Sequence, residues 1–225
     1  MKVRVAAIAL ALLALGGCRR PDFGADARVE VELAGGWVRE IRDGSRGLEG
    51  FDLREDGSIA LLGIFSMNGV AWNFARGELV VSTNTDRYPG TTPVRLRVES
   101  FENGVLTLGP ADSDYLAGTW RRSEVLRLAG VVTYLEPVTL PPYARVEVRL
   151  MSGAELIART LIAPREPVPI PFAISYLPQP TADARELTLE ATIVTPDGPL
   201  FSTMEPSAVA AGAEGVEVVV RAVTH

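Results

Sequence analysis

Val146-Glu147-Val148-Arg149-Leu150 sets an apolar side chain on every second residue and a charged one between. A period of two puts one set on a buried sheet face and the other in water. The pattern recurs along the chain. Leu187, Leu189, Ala191 and Ile193 alternate with Thr188, Glu190 and Thr192, and Val94, Leu96 and Val98 with Arg95, Arg97 and Glu99. Val29, Val31 and Leu33 alternate with Glu30 and Glu32, which predicts a strand there too. Hairpin turns are signalled by Glu55-Asp56-Gly57, Glu102-Asn103-Gly104 and Pro196-Asp197-Gly198. No stretch past the N-terminal segment sustains a helical period. Closely spaced strands with tight turns read as an all-β chain of antiparallel barrels or sandwiches.

The N-terminal segment is of another kind. Met1-Lys2-Val3-Arg4 is cationic, and Val5 to Leu15 is an unbroken run of Ala, Val, Ile and Leu. The run falls short of the roughly 20 residues that span a hydrocarbon core, so it reads as the core of an export signal. It ends in Leu15-Gly16-Gly17-Cys18, which resembles the lipobox of bacterial lipoproteins. The resemblance implies cleavage before Cys18, lipid attachment at its thiol and a membrane anchor. Arg19, where the usual sorting rule has Asp for inner-membrane retention, favours the outer membrane, facing the periplasm. Cys18 is the only cysteine, so lipidation leaves no thiol for a disulfide. The organisation expected is a signal peptide over 1–17, a lipidated tether over 18–27, and two β domains over 28–124 and 126–225, which abut without a long linker.

The first β domain resembles the small lipocalin-like domains of bacterial lipoproteins. The resemblance rests on Gly35-Gly36-Trp37, on Leu48-Glu49-Gly50-Phe51-Asp52-Leu53-Arg54-Glu55-Asp56-Gly57-Ser58, on Trp72 and on Gly77-Glu78-Leu79-Val80-Val81. It implies an antiparallel barrel with Trp37 at its base. Trp37, Phe51, Phe65, Trp72 and Phe74 are read as core, with the lining of a ligand cavity as the alternative. The second domain resembles the YbaY/YscW family of lipoproteins. It does so through Gly130-Val131-Val132-Thr133-Tyr134, Leu140-Pro141-Pro142-Tyr143-Ala144 with the strand after it, Pro167-Val168-Pro169-Ile170-Pro171-Phe172 and Gly198-Pro199-Leu200-Phe201-Ser202-Thr203. This implies an antiparallel β-sandwich and, for the part of the family with described pilot chaperones of type III secretion, contact with a secretin or other envelope protein.

Pro167, Pro169 and Pro171 would remove donors from one lateral side of a strand, which suits only an edge strand. Chemistry is sparse. His225 is the only histidine and the last residue, so a Ser-His-Asp or Cys-His set would hang on a chain end. Zinc lacks ligands and no phosphate loop follows a strand, so no metal or cofactor is expected. Asp112-Ser113-Asp114 and Thr83-Asn84-Thr85-Asp86 read as exposed turns. Glu49 and Asp52 would face opposite sides of one strand, which argues against a shared acid–base site. The net charge of −6, with no basic patch, excludes nucleic acid as a partner. The expectation is a non-enzymatic, membrane-tethered interaction or pilot-like chaperone module. The alternative is a carrier or sensor of a small apolar ligand in the first domain.

Overall fold

In the computed structural model, which describes residues 29, 30, 32–41, 47–85, 90–178 and 187–223, the alternating runs become strands. The first eight are β1 (Gly35–Glu40), β2 (Leu48–Leu53), β3 (Ile59–Leu62), β4 (Asn68–Ala75), β5 (Glu78–Asn84), β6 (Thr92–Glu102), β7 (Val105–Pro110) and β8 (Gly118–Ser123). They make one antiparallel sheet in the order β3-β2-β1-β8-β7-β6-β5-β4. The sheet curls into a nearly closed barrel. Its two end strands meet where Trp72 of β4 donates its backbone N–H to the Gly57 carbonyl and its indole N–H to the Arg54 carbonyl, both at 2.8 Å. Each β-turn expected from the sequence is present. At the β6–β7 hairpin, Asn103 (φ 52°) and Gly104 (φ 73°) occupy the left-handed region that this turn requires.

Side chains fill the barrel. Trp37, Phe51, Leu53, Leu79, Val81, Leu96, Leu106 and Trp120 are wholly buried. Trp37 packs edge-on against Phe101 at 5.6 Å and Phe51 against Trp120 at 4.7 Å. Each buried indole N–H is satisfied, Trp37 by the Leu33 carbonyl and Trp120 by the Leu116 carbonyl, as burial of a polar group demands. On neighbouring β1 and β8 two Trp–Arg pairs cross. The Arg122 guanidinium lies 4.3 Å from the Trp37 ring centroid, and that of Arg39 lies 3.9 Å from Trp120.

The remaining strands are β9 (Leu126–Thr133), β10 (Arg145–Ser152), β11 (Glu155–Ile162), β12 (Ile170–Tyr176), β13 (Leu187–Thr195), β14 (Gly198–Ser202), β15 (Ser207–Val209), β16 (Val216–Val219) and β17 (Arg221–Ala222). One sheet runs β11-β10-β13-β14-β17 with β15 beside β13, and the other runs β12-β9-β16. The inward sets of β10 and β13, including Val146, Val148, Leu150, Leu189, Ala191 and Ile193, interleave with Leu128, Val132, Ile174 and Val218 to form the core between them. All pairings are antiparallel except that β16 runs parallel to β9. The chain then passes through buried Val220 into β17 of the opposite sheet.

Four expectations change. Val29, Glu30, Glu32 and Leu33 are helical, not extended. Val29 and Leu33, four residues apart, serve a helix face as well as a strand face, and Leu33 is fully buried. Phe65 is 38% exposed, on the loop between β3 and β4, and is not core. Thr83 and Asn84 end β5 and are not a loose turn; Thr83 is buried, and Asn84 accepts from Asn68 across the strand pair. Of the proline run only Ile170 onward is strand, so Pro167 and Pro169 precede it. β12 is nevertheless an edge strand, hydrogen-bonded only to β9. Cys18, Asp86 and His225 lie outside the described residues.

Candidate functional site at the seam of barrel and sandwich

Alternation along β2 turns Phe51 and Leu53 into the barrel, so Asp52 points outward. Its carboxylate is nonetheless wholly buried, because the sandwich lies over it. Arg127 and Ser175 are register partners across β9 and β12, and together they grip the acid. Arg127 donates bidentately, Nε to Oδ2 at 3.0 Å and Nη2 to Oδ1 at 2.9 Å. The Ser175 hydroxyl donates to Oδ2 at 2.7 Å. Arg54 adds a second cation, its Nε 3.5 Å from Oδ2, and donates through Nη2 to Ser175 Oγ at 2.8 Å. Burial pushes the Asp52 carboxyl up. The hydrogen bonds from Arg127 and Ser175, with the charges of Arg127 and Arg54, outweigh that and hold it below its ordinary value. Asp52 in turn raises Arg127.

A second bridge crosses the seam nearby. Arg159 of β11 donates through Nη2 to the carbonyl of Phe65 at 2.8 Å and pairs through Nη1 with Glu147 at 3.3 Å. Arg149 meets the other Glu147 oxygen at 3.1 Å. Between the bridges lies a cavity of about 180 Å³, walled by the barrel through Arg54, Ile59 and Met67 and by the sandwich through Arg159, Ile174 and Ser175.

The opposite end of the sandwich is different in character. Beyond the C-terminal end of β9, a groove of about 340 Å³ is lined by Tyr134, Val138, Thr139, Leu140, Pro141, Pro142, Pro164 and Pro167, with Arg165 and Glu166 as its charged members. Tyr134 stacks on Phe201 at 4.8 Å and donates its hydroxyl to the Val138 carbonyl. Around it Leu135 is 71% exposed, Tyr143 51% and Val138 49%. This proline-walled surface is mainly apolar, with one acid and one base in its lining, and suits an apolar segment that carries polar groups beside it.

The sequence candidates are dispersed. Glu49 pairs with Arg39 at 2.6 Å in a bridge of its own, while Asp52 belongs to the seam. They share no site. Trp37, Phe51, Trp72 and Phe74 are core. The Asp112 carboxylate accepts the Arg95 backbone N–H at 2.8 Å. Among the described residues no group of His, Cys, Asp and Glu is assembled to hold a metal, and no helix is long and apolar enough to cross a membrane. Sequence reading missed Arg54, Arg127, Arg159 and Ser175. Each sits at an ordinary polar position of a strand or turn, and only the docking of the two sheets gives it a role.

No curated protein matches the chain significantly. Two solved structures are similar. An alternative pilotin from the type II secretion system of Vibrio cholerae is 22% identical, with TM-score 0.41, covering 45% of this chain and all of its own. A lipocalin-like protein from Bacteroides thetaiotaomicron is 12% identical, with TM-score 0.34, covering 41% of this chain and 97% of its own. Residues 123–221, which run from the last residue of the barrel through the sandwich, match the family model of the type III secretion system lipoprotein chaperone, YscW.

Proposed function

We propose that this chain is a lipid-anchored, periplasm-facing protein of the outer membrane that acts as a pilot-like chaperone. On this reading its sandwich holds an apolar segment of an envelope or secretion component such as a secretin. The match of residues 123–221 to a lipoprotein chaperone family carries the proposal. Cys18, at the end of Leu15-Gly16-Gly17, would carry the lipid, and the two β domains, 28–124 and 126–225, would hang from it. The groove under Tyr134 is the surface assigned to the client, since its exposed apolar rim is what a client segment would cover. No catalytic step enters the proposal. The filled barrel interior favours this reading over the small-ligand carrier.

A photo-crosslinking residue at Val138, compared with one at the exposed barrel position Glu102, tests the assignment in cells. The expected result is a reproducible protein adduct from position 138 and none from 102, lost when Cys18→Ser abolishes incorporation of labelled palmitate. Equal adducts at both positions, or palmitate labelling that survives Cys18→Ser, would contradict it.

A further inference from the structure

The seam cavity is ringed by strand edges. Its wall takes successive residues from β3 (59–61), β4 (68–70), β11 (159–161) and β12 (173–175). Among the described residues, each of these strands stands at an end of its sheet. The direction of the free backbone groups of β12 follows from its neighbour. Ala129 of β9 donates its N–H to the Ala213 carbonyl, and the Thr133 carbonyl accepts from Val220, so these odd-numbered residues face the β16 side. Leu128, Gly130 and Val132 therefore face β12, opposite Ile174, Phe172 and Ile170. Pro171, Ala173 and Ser175 are left with their main-chain groups turned away from β9. Pro171 has no N–H to offer there and blunts the edge against pairing. Ala173 and Ser175 carry no such guard. Both line the cavity, and together they bring two N–H and two C=O groups to that edge.

The chemistry that complements a strand edge is another extended main chain. The side chains around it agree, since Ser58, Asn68, Thr160 and Ser175 give the wall a polar lining. Size narrows the occupant. One helical turn, about 10 Å across and 5.4 Å long, fills roughly 420 Å³, more than twice the cavity's 180 Å³. The same figure allots about 120 Å³ to an average residue. The cavity therefore encloses two residues of extended chain only if both are small, as Gly, Ala and Ser are.

We propose that this cavity is a strand-addition site, which takes an extended stretch of small residues from a partner polypeptide and pairs it with the edge of β12 at Ala173 and Ser175. The facing wall belongs to the barrel, through Ile59 and Leu61 of β3, so the stretch is enclosed only while barrel and sandwich are docked. The site is separate from the groove under Tyr134 and does not rest on the chaperone reading.

Two measurements on the full chain in detergent micelles test the proposal, with the capped peptide acetyl-Ala-Ser-Ala-amide and the same peptide methylated at every backbone nitrogen. Calorimetry should show saturable binding of the first peptide in the millimolar range, as a few main-chain hydrogen bonds imply. The methylated peptide keeps the side chains but loses the donors, and should bind about ten-fold or more weakly. Amide exchange, read residue by residue, should slow at Ala173 and Ser175 when the peptide saturates. Ala173→Pro removes an N–H that β9 does not use, a change an edge strand tolerates, and should abolish binding with the circular dichroism spectrum unchanged. If that variant fails to fold, the exchange measurement on the wild-type chain decides alone. No saturable binding up to tens of millimolar peptide, equal binding of both peptides, binding that leaves exchange at Ala173 and Ser175 unchanged, or wild-type affinity in a folded Ala173→Pro would each overturn the proposal.

Discussion

Replacing Asp52 by Asn tests the seam most directly. The side chain keeps its shape but loses the charge that Arg127 grips at 2.9 and 3.0 Å and that Arg54 approaches at 3.5 Å. It also sets an amide N–H₂ among donors. Removing one partner of a fully buried ion pair costs about 3–5 kcal/mol. Asp52 is wholly buried, but the Arg127 side chain is 51% exposed and can rehydrate once released. That lowers the expectation to about 2 kcal/mol. A cycle with Arg127→Gln should return a coupling of about 1–2 kcal/mol. The assay is urea unfolding, followed by tryptophan fluorescence for the barrel, which holds all of Trp37, Trp72 and Trp120, and by circular dichroism for the whole chain. The pH dependence has a definite sign. Asp52 is depressed in the folded protein, so its stabilisation is complete above the unfolded carboxyl range near 4 and is lost as pH falls through its folded value. The wild-type advantage over Asp52→Asn should hold steady from about pH 5 to 8 and shrink below about pH 4. A coupling indistinguishable from zero, or an advantage that persists undiminished into acid, would refute the argument.

Gly130→Ala should destabilise the sandwich by about 1–3 kcal/mol, because its Cβ would stand 2.0 Å from the Val216 carbonyl oxygen where β16 runs parallel to β9; an unchanged melting curve would contradict the close approach. Fragments 28–124 and 126–225 should each give a β-type circular dichroism spectrum and a cooperative melt. In the isolated barrel the cost of Asp52→Asn should fall well below its value in the full chain, since Arg127 and Ser175 are gone and only the longer Arg54 pair remains, in contact with water. A fragment that stays unfolded would show that the two units are interdependent.

What the sequence disclosed follows from the range of each signal. Alternation in Val146–Leu150 and Leu187–Ile193 is local, and it placed the sandwich core correctly. Asn103-Gly104 and Asp197-Gly198 are local too, and each closes a hairpin. The same local reading failed at Val29–Leu33, because five residues satisfy both a period of two and a spacing of four. It failed at Phe65, where the chain turns between β3 and β4 and leaves the ring facing outward. The seam was invisible for a different reason. Asp52 meets Arg127 and Ser175 across 75 and 123 residues of chain, and nothing near Phe51-Asp52-Leu53 indicates that this outward face will be covered.

The register of β1 against β8 has a mechanical consequence. Gly36 pairs with Ser123 at the outermost rung, so the chain arriving from residue 29 and the chain leaving for the sandwich depart from the same end of adjacent antiparallel strands. Tension between those two points does not run through the barrel. It acts across that single rung and would unzip the ladder bond by bond, the geometry of least resistance, instead of shearing it. The next rung pairs Trp37 with Arg122, whose guanidinium reaches back past the rung to the Ala34 and Glu32 carbonyls. Arg122 thus works as a clip across the fork where the strands would part. The eight-stranded body hangs beside the line of force and is spared from carrying it.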